Sequence, residues 1–215
     1  MKILITGGTN GMGKGVAEVL AGADNQAHEV IILCRSEMLG MKVREEIIEK
    51  TLNEKVSIVL CDLTKLSDVK HAIDEIHTQH TYLDGIFINA GLGYASERVE
   101  TEDSMDPHFQ VNYLSHFMLT LNLLDLLEKS QSGGRVIFNV TEGGKINWDD
   151  LQMENKWGYE AGIKQAMAAK RMFLIKLHDV YTNKASSQLS FIGFQIPKTV
   201  WTNQINIIPA PMKMM

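Results

Sequence analysis

The chain has 215 residues, 45% of them hydrophobic and 22% charged, with 21 Lys and Arg against 26 Asp and Glu for a net charge of −5. This is the balance of a globular chain, which excludes disordered, collagenous and coiled-coil classes, and its mild acidity argues against nucleic acid as a partner. Two cysteines, Cys34 and Cys61, are too few for a disulfide scaffold and fit a reducing cytoplasm; no stretch reaches the roughly 18 apolar residues of a membrane span.

Strands and helices alternate from the first residue. Lys2–Thr6 reads as a strand rather than a signal peptide, because glycines interrupt its short apolar run. Met12–Ala21 places Val16, Val19 and Leu20 on one helical face. Glu29–Cys34 is apolar on both sides, as a parallel strand covered on both faces must be. Met38–Lys50 is a charged amphipathic helix, Lys55–Cys61 a third strand, and Leu66–His80 a helix. Leu83–Asn89 is a fourth strand. Asp106-Pro107 opens a long helix to about Lys129, with aspartate as cap and proline in the first turn. Gly134–Val140 is a fifth strand, a helix lies within Tyr159–Thr182, and Leu189–Ile196 is a sixth strand. The alternation predicts an α/β fold, a doubly wound parallel (Rossmann) sheet of six strands. With no linker or repeat, residues 1–215 form one domain.

Thr6-Gly7-Gly8-Thr9-Asn10-Gly11-Met12-Gly13 follows the first strand and opens the first helix. Glycines let a backbone turn tightly against a phosphate, and a helix N-terminus offers unpaired N–H groups and partial positive charge. In the strand-turn-helix setting this points to a dinucleotide.

The form T-G-x-x-x-G-x-G resembles the short-chain dehydrogenase/reductase family, closest to its retinol-dehydrogenase-like and protochlorophyllide-reductase-like branches. Cys61-Asp62-Leu63 matches the family's adenine-contacting aspartate, and Asn89-Ala90-Gly91 its N-A-G turn. Val111-Asn112 through Phe117 resembles the helix that carries its catalytic asparagine. Pro197 to Thr202 resembles the segment after its sixth strand. The resemblance implies a cofactor site of Gly7, Thr9, Asn10, Gly11, Met12, Gly13, Arg35, Ser36, Asp62, Leu63, Asn89, Ala90, Gly91, Lys170, Pro197 and Thr202. It also implies hydride transfer between a nicotinamide and a small carbonyl or alcohol substrate.

At the end of the second strand an acidic residue would bond a ribose 2′-hydroxyl and repel a 2′-phosphate. The residues here are Cys34-Arg35-Ser36. Arg35 can pair with a 2′-phosphate and Ser36 can add a hydroxyl, so NADP is favoured over NAD. Lys14 can add positive field.

The family's chemistry uses a tyrosine and, four residues on, a lysine that lowers the tyrosine pKa. That pair is missing. Residues 166–172 resemble the family's helix with Lys170 at the lysine and Ala166 at the tyrosine. Glu142 stands where the family's catalytic serine is usual, with Thr141 beside it. Three readings stay open. Tyr159 bends into the site to work with Lys170 or Lys164. Alternatively Thr141, Glu142 or a water held by Lys170 and Asn112 moves the proton. In the third, the chain binds nucleotide as a sensor or scaffold without the ordinary chemistry. The candidate catalytic residues are Asn112, Thr141, Tyr159 and Lys170.

His71, His77 and His80 share a helix without a supporting carboxylate or cysteine constellation, so they read as surface residues and no metal is expected. His108 and His116 read as interface or surface residues. Cys34 and Cys61 end neighbouring strands and read as buried thiols rather than a redox pair. Phe109, Leu114, Phe117, Met118, Leu121 and Leu124 suit a homodimer through the two long helices. The family usually continues past the Thr202 segment, so the shortened C-terminal part predicts an open, shallow substrate pocket.

Overall fold

The computed structural model of the protein describes residues 1–182, 184 and 188–195. Six parallel strands form one sheet: β1 (Lys2–Thr6), β2 (Glu29–Cys34), β3 (Val56–Leu60), β4 (Gly85–Ile88), β5 (Arg135–Asn139) and β6 (Ser190–Phe194), in the order β3-β2-β1-β4-β5-β6. The predicted doubly wound α/β sheet is therefore present. Ile196, the predicted end of the sixth strand, lies outside the described residues.

Successive side chains of a strand point to opposite faces, and the core divides accordingly. Ile3 and Ile5 join Val30, Ile32 and Cys34 on one face, beneath α1 (Gly11–Gly22) and α2 (Glu37–Thr51). Leu4 joins Ile31, Leu33 and Cys61 on the other, beneath α3 (Leu66–Gln79) and the helices that follow β4 and β5. Residue 30 to residue 34 is buried throughout, as a strand covered twice must be. The order reverses direction at β1, whose neighbours are β2 and β4, and a crevice opens beyond the carboxyl ends of strands at such a switch point.

The one long helix expected from Asp106 to about Lys129 is instead broken. Asp106 caps α4 (Pro107–Phe109), its Oδ1 accepting from Phe109 N at 2.9 Å, with Pro107 in the first turn. A π-helical turn, Gln110–Leu114, follows, closed by the Ser115 N–H on the Gln110 carbonyl. Then come α5 (Ser115–Asn122), a non-helical Leu123 at φ −111°, ψ 4°, and α6 (Leu124–Glu128). The helix after β5, α7 (Tyr159–Thr182), runs 24 residues.

Part of the apolar surface expected to make a dimer is used within the chain. Phe117 packs at a tilt against Phe173 with centroids 4.7 Å apart, Phe173 meets Phe138, and Tyr113 bridges Phe109 and Phe117. Leu124 is buried, whereas Leu121, Met172, Ile175 and Val180 remain exposed.

Candidate functional site

The glycine turn is built by close approaches. Gly7 has φ +70° and donates its N–H to Leu33 O at 3.0 Å. A Cβ at Gly13 would lie 2.3 Å from Gly7 O and 2.7 Å from Asn89 Nδ2, so only glycine lets α1 start this close to β1 and β4. The N-cap residue of α1, Asn10, makes no side-chain cap bond, and the first turn holds no acidic residue. Its leading N–H groups therefore keep their capacity for an anion.

A cleft of roughly 440 Å³ lies at this turn. Gly7, Thr9, Asn10, Arg35, Ser36, Asp62, Leu63, Asn89, Ala90 and Gly91 line it, ten of the sequence-predicted cofactor residues. Leu33, Leu39, Thr64 and Leu92 line it as well and had no motif to announce them, as do Cys34, Cys61 and Val111, which lie inside the quoted motifs but were not named as cofactor residues. Three other predicted residues of the turn do not line it. Met12 packs on the α1–α2 side of the core, Gly13 backs the turn, and Gly11 takes φ +49° with open space where its Cβ would be. Pro197 and Thr202 lie outside the described residues.

Arg35 is exposed at the cleft, and no ion pair engages it among the described residues. Ser36 caps α2, its Oγ accepting from Leu39 N at 3.3 Å. Lys14, expected to add field, is committed elsewhere: its Nζ pairs with Glu46 at 2.5 Å. The Glu46 hydrogen bond raises the Lys14 pKa, and the Lys14 bond lowers that of Glu46. Asp62 turns Oδ1 to Thr64 N at 3.0 Å and Thr64 Oγ1 at 2.8 Å, leaving Oδ2 to accept from a ligand. Asn89 donates Nδ2 to Thr6 O at 3.3 Å and accepts from Asn139 Nδ2 at 3.2 Å. This joins the exits of β1, β4 and β5.

One polar helical face ties the strand exits together. Asn112 accepts from Leu92 N at 2.7 Å and donates to Leu92 O at 3.0 Å, beyond β4. Ser115 donates to Leu63 O at 2.7 Å, beyond β3. His116 Nε2 meets Thr6 Oγ1 at 3.1 Å, at the end of β1. All three are buried. Ser115 and His116 were missed as site residues, although polar side chains at i, i+3 and i+4 on an otherwise apolar helix are the pattern that marks such a face.

Lys170 is 1% exposed, and no ion pair engages it among the described residues. Burial drives its ammonium down to about 7. Ala166, one turn earlier, is fully buried, so no phenol stands where the family's tyrosine would be. Tyr159 does not replace it. It begins α7, eleven residues and about 16 Å of helix rise from Lys170, and Lys164 is turned about 140° round the helix from it. The Tyr159 hydroxyl bonds its neighbour Glu160 at 3.3 Å, whose charge raises the phenol pKa, and its ring meets Tyr94 at 5.0 Å. A Tyr159–Lys170 pair is therefore corrected by geometry. Thr141 and Glu142 are exposed just past β5. The loop they open returns to α7, where Gly144 N bonds Lys164 O at 3.0 Å.

The histidine readings need three corrections. His71 and His77 are exposed as expected, but His80 is buried, its Nδ1 3.2 Å from Lys2 Nζ. His108 and His116 are buried rather than at the surface, because each finds a polar partner inside. Both cysteines are free and buried, and burial raises both thiol pKa values, Cys61 to about 12. They belong to opposite faces of the sheet, so they cannot bridge. Among the described residues no cluster of three or more metal-ligating side chains exists.

Residues 1–152 match the short chain dehydrogenase family. Polyprenol dehydrogenase of Homo sapiens is 31% identical over 189 residues, covering 85% of this chain and 56% of that protein. Retinol dehydrogenase 13 of Homo sapiens is 30% identical over 180 residues, covering 81% and 53%. The chain thus spans about half the length of the curated relatives it matches. A protein described as a short chain dehydrogenase of Escherichia coli CFT073, solved with NADPH, superposes with TM-score 0.67 at 25% identity, over 90% of this chain and 76% of that one.

Proposed function

Since the chain belongs to the short-chain dehydrogenase family, we propose that it is an NADP(H)-dependent oxidoreductase that interconverts a carbonyl and an alcohol. The observation that carries the cofactor is the cleft at the uncapped start of α1 with an unpaired Arg35 on its wall. The residues fit the group. The leading amides of α1 suit a pyrophosphate, Arg35 and Ser36 a 2′-phosphate, the open Asp62 oxygen an adenine amine, and Lys170 the nicotinamide ribose hydroxyls. When bound, the nicotinamide supplies the hydride acceptor or donor.

The chain's own part is to hold the substrate oxygen and balance its charge. A carbonyl that gains a hydride must also gain a proton. With Ala166 in the tyrosine's place, Lys170 is the buried group whose proton affinity suits that task near neutrality. The Asn112 side chain is spent on Leu92, so a relaying water must use its main-chain carbonyl. Thr141 offers a hydroxyl at the exit of β5. The names of the polyprenol and retinol dehydrogenases support an apolar alcohol as substrate. The exposed Leu121, Met172, Ile175 and Val180 support a homodimer, and the two unbonded thiols support a reducing compartment such as the cytoplasm.

A second reading has its own observation. Burial of Ala166 and the distance of Tyr159 from Lys170 favour a nucleotide-binding protein without turnover. Titration with NADPH and NADH tests the shared premise: wild type binds NADPH more tightly, and Arg35→Glu reverses that order. Failure of both nucleotides to bind near millimolar concentration overturns the proposal. Reduction of a panel of apolar aldehydes and ketones with NADPH then separates the readings. Turnover lost in Lys170→Met supports the enzyme, whereas inactive wild type that still binds NADPH supports the second reading.

A further inference from the structure

Thr6 Oγ1 accepts two main-chain bonds across the sheet, from Asn89 N at 2.9 Å and Ala90 N at 3.0 Å. A hydroxyl oxygen has two lone pairs and one proton. With both lone pairs taken, Thr6 can only donate to the third neighbour, His116 Nε2, at 3.1 Å. His116 must therefore present a bare Nε2 and carry its proton on Nδ1. Nδ1 has no partner of good geometry, and the ring is acted on by the carbonyls of Asn112 and Val111 on its own helix. From α7, Lys170 is the charged group that acts on it. Burial and then that charge hold the ring well below the usual imidazole range, so the neutral form persists.

We propose that His116 is a positioning residue: its Nε2 takes the Thr6 hydroxyl proton, and this orients the Thr6 oxygen to receive the Asn89 and Ala90 amides and fixes the floor of the cleft. The consequence is steric as well as polar. A Cβ at Gly7 would stand 3.0 Å from Ala90 Cα, so the glycine turn and the Asn89–Gly91 turn touch. A side chain at Gly7 would therefore push against the Asn89–Gly91 turn. The inference rests on the nucleotide reading above for its binding consequence, and on hydrogen-bond accounting alone for its geometry.

Two measurements test it separately. Nitrogen-15 NMR of the wild type at neutral pH reads the tautomer: a bare Nε2 and a protonated Nδ1, unchanged on acidification to about pH 5, is the expected result. A protonated Nε2 overturns the proposal whether or not nucleotide binds. NADPH and NADH titrations then compare His116→Leu with His116→Gln, which restores an acceptor. His116→Leu weakens both nucleotides by about tenfold, the weight of one buried hydrogen bond, with the NADPH-to-NADH preference intact, and His116→Gln recovers most of the loss. Wild-type affinity in His116→Leu, or no recovery in His116→Gln, overturns the positioning role. Absence of binding in the wild type overturns the nucleotide reading instead, and the tautomer still decides the geometry.

Discussion

His108 Nδ1 lies 3.8 Å from Asp106 Oδ1, with both side chains closed to solvent. The other ring nitrogen, Nε2, reaches Gly93 O at 2.7 Å. Burial alone would lower the His108 pKa, but the nearby Asp106 carboxylate and the Gly93 carbonyl together raise it. Arg98, whose own pKa is raised by Glu100 and Asp106 among others, is a further charge near this pair.

A raised histidine stabilises the fold in its protonated state. The contribution is complete below the unfolded value of about 6.5 and is lost as pH rises through the higher folded value. His77, raised by Asp125, acts in the same direction, whereas His80 is lowered by burial, so the comparison must be with a variant. The melting temperature of the wild type falls more steeply from pH 6 to 8 than that of His108→Gln. Parallel slopes would remove His108 from the account.

Lys170 works in the opposite sense. Its folded pKa of about 7 lies below the unfolded value near 10.4, so the folded state disfavours its charge. The cost is whole below about pH 7 and disappears as pH climbs past the unfolded value. Lys170→Met therefore raises the melting temperature, and the gain is larger at pH 6 than at pH 10. A loss at pH 6 would mean that the ammonium is held by partners beyond those described.

The glycines of α1 make a paired test. Gly13→Ala drives a methyl into Gly7 O and costs about 1–3 kcal/mol in urea unfolding, with loss of nucleotide affinity. Gly15, two residues further on, has nothing within 4 Å of its Cβ position. Gly15→Ala gains about 0.5–1 kcal/mol from helix propensity. Equal effects at the two sites would contradict the close packing of the turn.

Asn112 uses both ends of its amide on Leu92. Asn112→Ala leaves that main-chain pair bare and costs about 1–3 kcal/mol. Asn112→Asp keeps one acceptor but sets an oxygen against Leu92 O. It is destabilised at least as much at neutral pH and partly recovers when the carboxyl is protonated. Chemical denaturation at pH 7 and pH 4, referred to wild type, reads both effects.

The strands and the glycine turn were legible in the sequence because their signals are local. Glu29–Cys34 is apolar throughout, and Gly13 meets Gly7 O only six residues back. What depends on distant partners was not legible. The pairing of Lys14 with Glu46 joins α1 to α2, and the burial of His80, His108 and His116 depends on Lys2, Gly93 and Thr6. The break at Leu123 and the π-helical turn leave no signal in apolar spacing, since the same faces stay buried on either side. Arg35 was read from the end of the second strand and Asp62 from the family resemblance, while Leu33, Thr64 and Leu92 reach the cleft only through the geometry of the sheet. The displacement of Tyr159 from Lys170 follows from where α7 begins, which the spacing of apolar residues did not fix.

The opposed thiols of Cys34 and Cys61 make the two helical layers separately readable. Each is buried and weakly acidic, and both also line the cleft, so with nucleotide filling the cleft an alkylating reagent waits for the layer above it to lift. Modification rates at the two positions, followed by mass spectrometry, time the opening of one side of the sheet against the other. A protein that lifts both sides in a single event gives one rate, and a protein that frays from one side gives two.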